Sequence, residues 1–201
     1  MSDLFSGLEE FGLGGLKDVE VYENDTSKAE GNATVKHQVT EAEILFDKSY
    51  TCPVCDKEFK SKTVRTGKIK LISADTDLRP KYQLVDSLKY DAIVCPHCGY
   101  AALSRYFNYM TSTQARFIKE QISSNFKGLS QEGDIYTYDE AIARHKLALL
   151  STIVKKSKQS EKAYTCLKLA WLCRGKRESL PEDTKDIEQV KKKLESDELD
   201  F

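Results

Sequence analysis

The chain begins with a short apolar pattern. Leu4, Phe5, Leu8 and Phe11 recur at i, i+1, i+4 and i+7, which puts them on one face of a brief amphipathic helix. Gly12, Gly14 and Gly15 then stop it, and Glu23 to Lys36 is polar enough to read as linker. The grammar next turns to strands. Thr63 to Ser73 predicts a β-hairpin or a long bent strand about Gly67, with Ile69 and Leu71 alternating against lysines. Asp75 to Pro80 is turn-rich, because Pro80 disfavours helix at Arg79. Lys89 to Val94 predicts another strand.

From residue 101 the period becomes helical. Ala101 to Phe107 opens this half by packing against the cysteine-bearing module before it, and Thr113 to Phe126 sets Phe117, Ile118, Ile122 and Phe126 near one face. Thr137-Tyr-Asp-Glu140 is a capping box, in which hydroxyl and carboxylate satisfy free N–H groups. It opens a helix whose apolar side carries Ala141, Ile142, His145, Leu149 and Ile153, with His145 read as a packing residue. Ser160 to Lys176 follows, with Ala163, Leu167, Ala170 and Trp171 at helical spacing. Small alanines against Leu and Trp suggest closely packed antiparallel helices, as in tetratricopeptide-like repeats. Ser179-Leu-Pro-Glu182 predicts a last helix start, running to Leu194 or beyond. Leu199 and Phe201 stay in register to the final residue, an end abrupt enough to suggest a partner-covered surface or a shortened chain.

The expected fold is therefore α+β in three parts. Residues 1–40 form an acidic flexible leader, 41–110 a zinc-ribbon module with an inserted hairpin and loop, and 111–201 a tetratricopeptide-like helical domain. A chain of 201 residues with 40% hydrophobic and 31% charged side chains is ordinary globular composition. No stretch reaches the ~18 apolar residues of a membrane span, and no secretory signal opens the chain, so a cytoplasmic protein is expected. Net charge is −1, which argues against bulk polyanion binding. It is unevenly spread: residues 1–47 carry −8, 48–110 carry +5, 111–178 carry +6 and 179–201 carry −4.

The chemistry concentrates in residues 50–100. Cys52-Pro-Val-Cys55 and Cys95-Pro-His-Cys98 are two Cys-x-x-Cys knuckles, in which the chain bends so that both sulfurs face one ion. Gly99 suits the left-handed position after the second, and Asp56 holds the matching place in the first. Four thiolates complete the shell of one structural, tetrahedral zinc. The 39 residues between Cys55 and Cys95 exceed the usual ribbon spacing, hence the expected insertion. A closed shell and the lack of a His-Glu pair at metalloprotease spacing argue against a catalytic metal, and His97 reads as exposed. No other motif nominates catalytic residues, so an enzyme is not favoured. Asp75-x-Asp77 reads as a solvated turn rather than a cation site. Cys166 and Cys173, ~10 Å apart along one helix, read as core thiols.

The combination of Lys48 to Phe59, Asp75-Thr-Asp77…Tyr82, Cys95 to Ala102, Tyr138…Leu149 and Leu169-Ala-Trp-Leu172 resembles the bacterial domain-of-unknown-function family 2225 over roughly residues 40–198. The resemblance implies a zinc-ribbon and helical-repeat architecture, metal ligation by Cys52, Cys55, Cys95 and Cys98, and no assigned activity. The leading expectation is a non-enzymatic adaptor that binds another protein through the helical half or the N-terminal segment. One alternative is nucleic-acid or anion binding through the basic stretch 60–82, using Lys68, Lys70, Arg79, Lys81 and Tyr82. A second is a thiol redox sensor.

Overall fold

The structure is a computed structural model that describes residues 40–129 and 133–201. The expected leader helix and linker lie outside the described residues. The Thr40 N–H donates to Glu43 at 3.2 Å, opening a one-turn helix α1 (Glu41–Ile44).

Each knuckle sits at the tip of an antiparallel strand pair. β1 (Leu45–Thr51) pairs with β2 (Glu58–Val64) in a register from Leu45 opposite Val64 to Thr51 opposite Glu58, with the first knuckle between them. β5 (Ala92–Val94) pairs with β6 (Ala101–Leu103), with the second knuckle between them. Between these two arms lies a third pair, β3 (Leu71–Ala74) and β4 (Pro80–Tyr82), whose register shifts between Leu71 and Ser73.

The hairpin expected around Gly67 is corrected by this pairing. β2 is already engaged as the return arm of the first knuckle, so the chain leaves it through a 3-10 turn, Thr66–Lys68, and starts a new sheet at Leu71. The strand expected over Lys89–Val94 is likewise shortened. Asp86 accepts from the Leu88 N–H at 3.0 Å and caps a 3-10 turn over Ser87–Tyr90, leaving Ala92–Val94 extended.

The helical half follows. α2 (Ser112–Ile118) is capped by Thr111, whose hydroxyl accepts from Gln114, and widens into a π turn over Lys119–Ser123. α3 (Tyr138–Val154) starts at the expected capping box: Thr137 Oγ1 accepts from Glu140 N–H, and Glu140 accepts from Thr137 N–H. α4 (Gln159–Glu178) runs back along it, with Lys155–Glu161 pairing at one end and Lys176–Asp139 at the other. α5 (Ile187–Asp200) begins after Asp186, later than the expected start at Ser179. Thr184 is the reason: its N–H and hydroxyl both donate to the Pro181 carbonyl, closing a turn where a helix was anticipated.

Two helix faces differ from the apolar pattern. Ile153 on α3 is 55% exposed and Leu167 on α4 is 38% exposed, with Ala163 also facing solvent. Thr165, Lys168, Leu169, Trp171, Leu172 and Cys173 turn inward instead. The buried polar groups among them have partners: Lys168 reaches Asp91 at 3.5 Å and Thr165 donates to the Glu161 carbonyl.

The two halves share their interior. The Ala101 N–H donates to Ser151 Oγ of α3 at 3.3 Å, and Ala92, Val94, Ala101 and Leu103 pack on Ala148. His145 is fully buried among these elements, its Nδ1 2.8 Å from the Ala141 carbonyl oxygen, and burial pushes its pKa down to about 4. That places it in the core, as its apolar neighbours implied.

Candidate metal centre

The knuckles form for local reasons. After Cys52 the chain reverses through Asp56, whose φ of 57° is left-handed; Asp56 N–H donates to Cys52 O at 2.9 Å and Cys52 N–H to Lys57 O at 3.0 Å. The second knuckle repeats the arrangement. Gly99 has φ 73°, its N–H donates to Cys95 O at 3.0 Å, and Cys95 N–H donates to Tyr100 O at 2.8 Å. Gly99 meets a second demand that spacing did not reveal. A Cβ there would lie 2.5 Å from Phe126 Cγ, since the Phe126 ring lies directly over the knuckle.

The two turns bring four sulfurs together. The ligand atoms of Cys52, Cys55, Cys95 and Cys98 all lie within 4.8 Å of one another. Cys52 Sγ is 3.5 Å from Cys98 Sγ, and Cys55 Sγ is 3.7 Å from Cys95 Sγ. Cys52, Cys95 and Cys98 are buried, and Cys55 is half-buried. The surroundings are dry and aromatic: Phe59, Phe107, Ile118 and Ile122 belong to the same core, and Tyr50, Phe59 and Tyr100 all pack on the Phe107 ring. The Tyr100 hydroxyl finds the Phe107 carbonyl at 3.1 Å.

These four cysteines could hold a metal ion, and their thiols influence one another strongly. Cys95 is held down to about 2, first by the hydrogen bond from Cys52 and then by that from Cys98. Cys52 is pushed up to about 12, chiefly by sharing its proton with Cys95, and Cys98 is driven up as well, chiefly by Cys52. Ionising more than one of these thiols puts like charges within 4 Å of each other in an apolar setting. A metal ion reverses that logic by stabilising every thiolate at once. Backbone N–H groups already point the right way: the Val54 N–H lies 3.4 Å from Cys52 Sγ. His97, within the second knuckle, is exposed.

A family model described as an uncharacterised protein conserved in bacteria, domain-of-unknown-function family 2225, matches residues 45–197. The chain belongs to this family. The matched span includes both knuckles and α2 to α4 whole. No curated protein matches the chain, and no solved structure does.

Of the other expected site residues, only Arg79 and Lys81 share partners among the described residues, and those partners are carboxylates. Lys68 and Lys70 are exposed and Tyr82 is half-buried. Arg79, only 5% exposed, pairs with Glu178 at 3.0 Å and Asp75 at 3.6 Å. Lys81 pairs with Asp75 at 2.8 Å and Glu178 at 3.7 Å. Asp75 and Asp77 are therefore not a solvated turn. Asp77 accepts from Trp171 Nε1 at 2.9 Å and pairs with Arg174 at 2.9 Å, and Arg174 also reaches Glu198 at 2.7 Å. This ionic clasp ties the turn between β3 and β4 to α4 and α5. Its partners lie about a hundred residues apart, so spacing offered no signal for it. Cys173 is buried and Cys166 half-buried, and burial pushes both thiols up, which suits inert core sulfurs. Among the described residues no helix is long and apolar enough to cross a membrane.

Proposed function

We propose that this protein is a zinc-ribbon adaptor: one structural zinc, held by Cys52, Cys55, Cys95 and Cys98, staples the fold, and the apolar face of the β3–β4 pair, clasped to the helical half, is presented to another protein in the cytoplasm. The observation that carries the metal part is the sulfur spacing. A tetrahedral ion with Zn–S bonds of ~2.3 Å sets its sulfurs about 3.8 Å apart. Two of the pairs stand at 3.5 and 3.7 Å, and all lie within 4.8 Å. Four thiolates favour a soft ion over magnesium or calcium, and they leave no open position for catalysis. The zinc supplies folding free energy; the cysteines and their knuckle N–H groups orient and neutralise one another around it.

The adaptor part is supported by surface left uncovered. Leu71, Ile72, Leu78 and Leu84, on and beside the β3–β4 pair, are 54%, 67%, 77% and 53% exposed. The ionic clasp holds that apolar face rigidly against α4. The antiparallel pairing of α3 with α4 is compatible with a tetratricopeptide-like half. The basic stretch 60–82 is a poorer candidate for nucleic acid, because Arg79 and Lys81 are committed to carboxylates. The test is co-purification from the native host with wild type, a variant lacking residues 1–40, and the double variant Ile72→Asp, Leu78→Asp. A protein retained by wild type and lost with either variant supports the adaptor. Retention by both variants, or no specific protein with wild type, contradicts it.

A further inference from the structure

Away from the zinc knuckles and the clasp, two surface hollows adjoin at a single residue, Arg105. One, of about 580 Å³, runs between the β1–β2 arm and α4, with Tyr50, Tyr82, Tyr164 and Lys168 in its wall. The other, of about 760 Å³, runs between the start of α2 and the turn joining α3 to α4, with Tyr106, Tyr109 and Lys158 in its wall. Both include Arg105.

The ridge between them is built from cations laid on aromatic faces. The Arg105 guanidinium sits 5.1 Å from the Tyr106 ring and 5.0 Å from the Tyr164 ring, and those two rings meet edge to face at 6.4 Å. Lys168 also lies 5.2 Å from the Tyr164 ring. Tyr109, 76% exposed, extends the aromatic series into the second hollow.

Charge along this path is positive in excess. The two linings hold Arg105, Lys168, Lys155 and Lys158 against Asp91 and Glu161. Both carboxylates are already neutralised, Asp91 by Lys168 and Glu161 by Lys155. Arg105 and Lys158 have no carboxylate partner among the described residues. These two free cations, alternating with tyrosine faces, are the complement of a chain that alternates phosphates with flat rings.

We propose that the two hollows form one track for single-stranded nucleic acid, with bases stacking on Tyr164, Tyr106 and Tyr109 and phosphates meeting Arg105 and Lys158. A duplex hides its ring faces in the base stack and gains nothing from the tyrosines. An acidic polypeptide would use the cations and leave the rings idle. Two joined hollows, rather than one closed pocket, suit several linked nucleotides. The cations of the track lie outside the basic stretch 60–82, although Thr63, Pro80 and Tyr82 of that stretch line the first hollow, and the proposal goes beyond the adaptor reading without depending on it.

The test is fluorescence anisotropy of end-labelled oligothymidylate and oligouridylate of ~12 nucleotides, a length within the range such grooves occupy. The full chain is used with its metal retained. Wild type is expected to bind one or both strands, with log affinity falling by ~0.7 per contacted phosphate for each unit of log salt. Arg105→Glu and Tyr164→Ala should each weaken binding by about tenfold or more, from a lost phosphate contact and a lost stacking face. Arg105 is exposed, so its substitution leaves the core intact and far-UV circular dichroism should be unchanged. The double variant Lys68→Glu, Lys70→Glu should bind like wild type. Absence of binding by wild type at ~100 µM protein in low salt overturns the proposal. Unchanged affinity in Arg105→Glu does so too. Displacement of the strand by polyglutamate at equal charge concentration also overturns it, since that is attraction without base stacking.

Discussion

Replacing Gly99 by Ala tests the second knuckle at two levels at once. The first is backbone strain: at φ 73° an L-residue costs ~1–2 kcal/mol relative to glycine. The second is steric. The new Cβ would lie 2.5 and 2.6 Å from Phe126 Cγ and Cδ2, well inside van der Waals contact. Phe126 is half-buried and can yield in part, so the overpacking cost falls in the usual range of ~1–3 kcal/mol. Together these give a loss of about 2–5 kcal/mol, or a Tm lower by ~4–20 °C for a chain of this size. The assay is urea denaturation followed by far-UV circular dichroism, with metal and reductant held in fixed excess. A double-mutant cycle with Phe126→Ala separates the two costs. Most of the steric part should vanish in the double variant, where only the Cβ contact at 3.0 Å is left, giving a favourable coupling of about 1–3 kcal/mol while the strain remains. A Gly99→Ala protein within ~0.5 kcal/mol of wild type, or strict additivity with Phe126→Ala, would refute this reasoning.

Other substitutions probe the rest of the fold. Lys155 is 2% exposed and pairs with Glu161 at 2.6 Å, so Glu161→Ala should cost ~3–5 kcal/mol by stranding a buried charge; Lys155→Met with Glu161→Gln should recover much of that in the same denaturation assay. Asp77 is held below the usual carboxylate range, first by its hydrogen bond from Arg174 and further by that from Trp171. Its contribution is therefore complete above the unfolded value of ~3.9 and disappears as pH falls through the lower folded value. Trp171 is the chain's single tryptophan, so wild-type emission should shift only below about pH 4, whereas Asp77→Asn should show the shifted emission at neutral pH. His145, pushed down to about 4 by burial, stays neutral where the unfolded chain, with its histidine at ~6.5, takes up a proton. Stability should decline as pH drops from about 6.5 towards 4, and His145→Gln should lose less over that window in melts at fixed metal.

What the sequence disclosed followed how local each interaction is. The knuckles were legible because Cys-x-x-Cys spacing, Gly99 and Asp56 encode a turn within six residues, and the Thr137–Glu140 capping box encodes the start of α3 in four. Helix faces were less legible. Ala163, Leu167 and Ile153 were assigned inward because apolar periodicity equates greasy with buried. On α4 the interior is instead shared with Thr165 and Lys168, which carry their own partners inside. The start of α5 was misplaced because Ser179 and Pro181 resemble a helix opening, while Thr184 spends both donors on Pro181. Least legible were contacts between distant segments: Phe126 over Gly99, Asp77 with Trp171 and Arg174, and Arg105 stacked between Tyr106 and Tyr164. Each joins side chains whose separation along the chain carries no pattern.

The account rests most directly on the four cysteines acting together as a metal-dependent staple. Elemental analysis of zinc per chain, on wild type and on Cys95→Ser, tests this in one step. The account predicts one tightly held zinc in wild type, with Cys95→Ser metal-poor and unfolded by far-UV circular dichroism. Substoichiometric zinc, or zinc released by mild oxidant, together with a Cys95→Ser protein that still folds, would contradict it and move the thiol redox reading to the front.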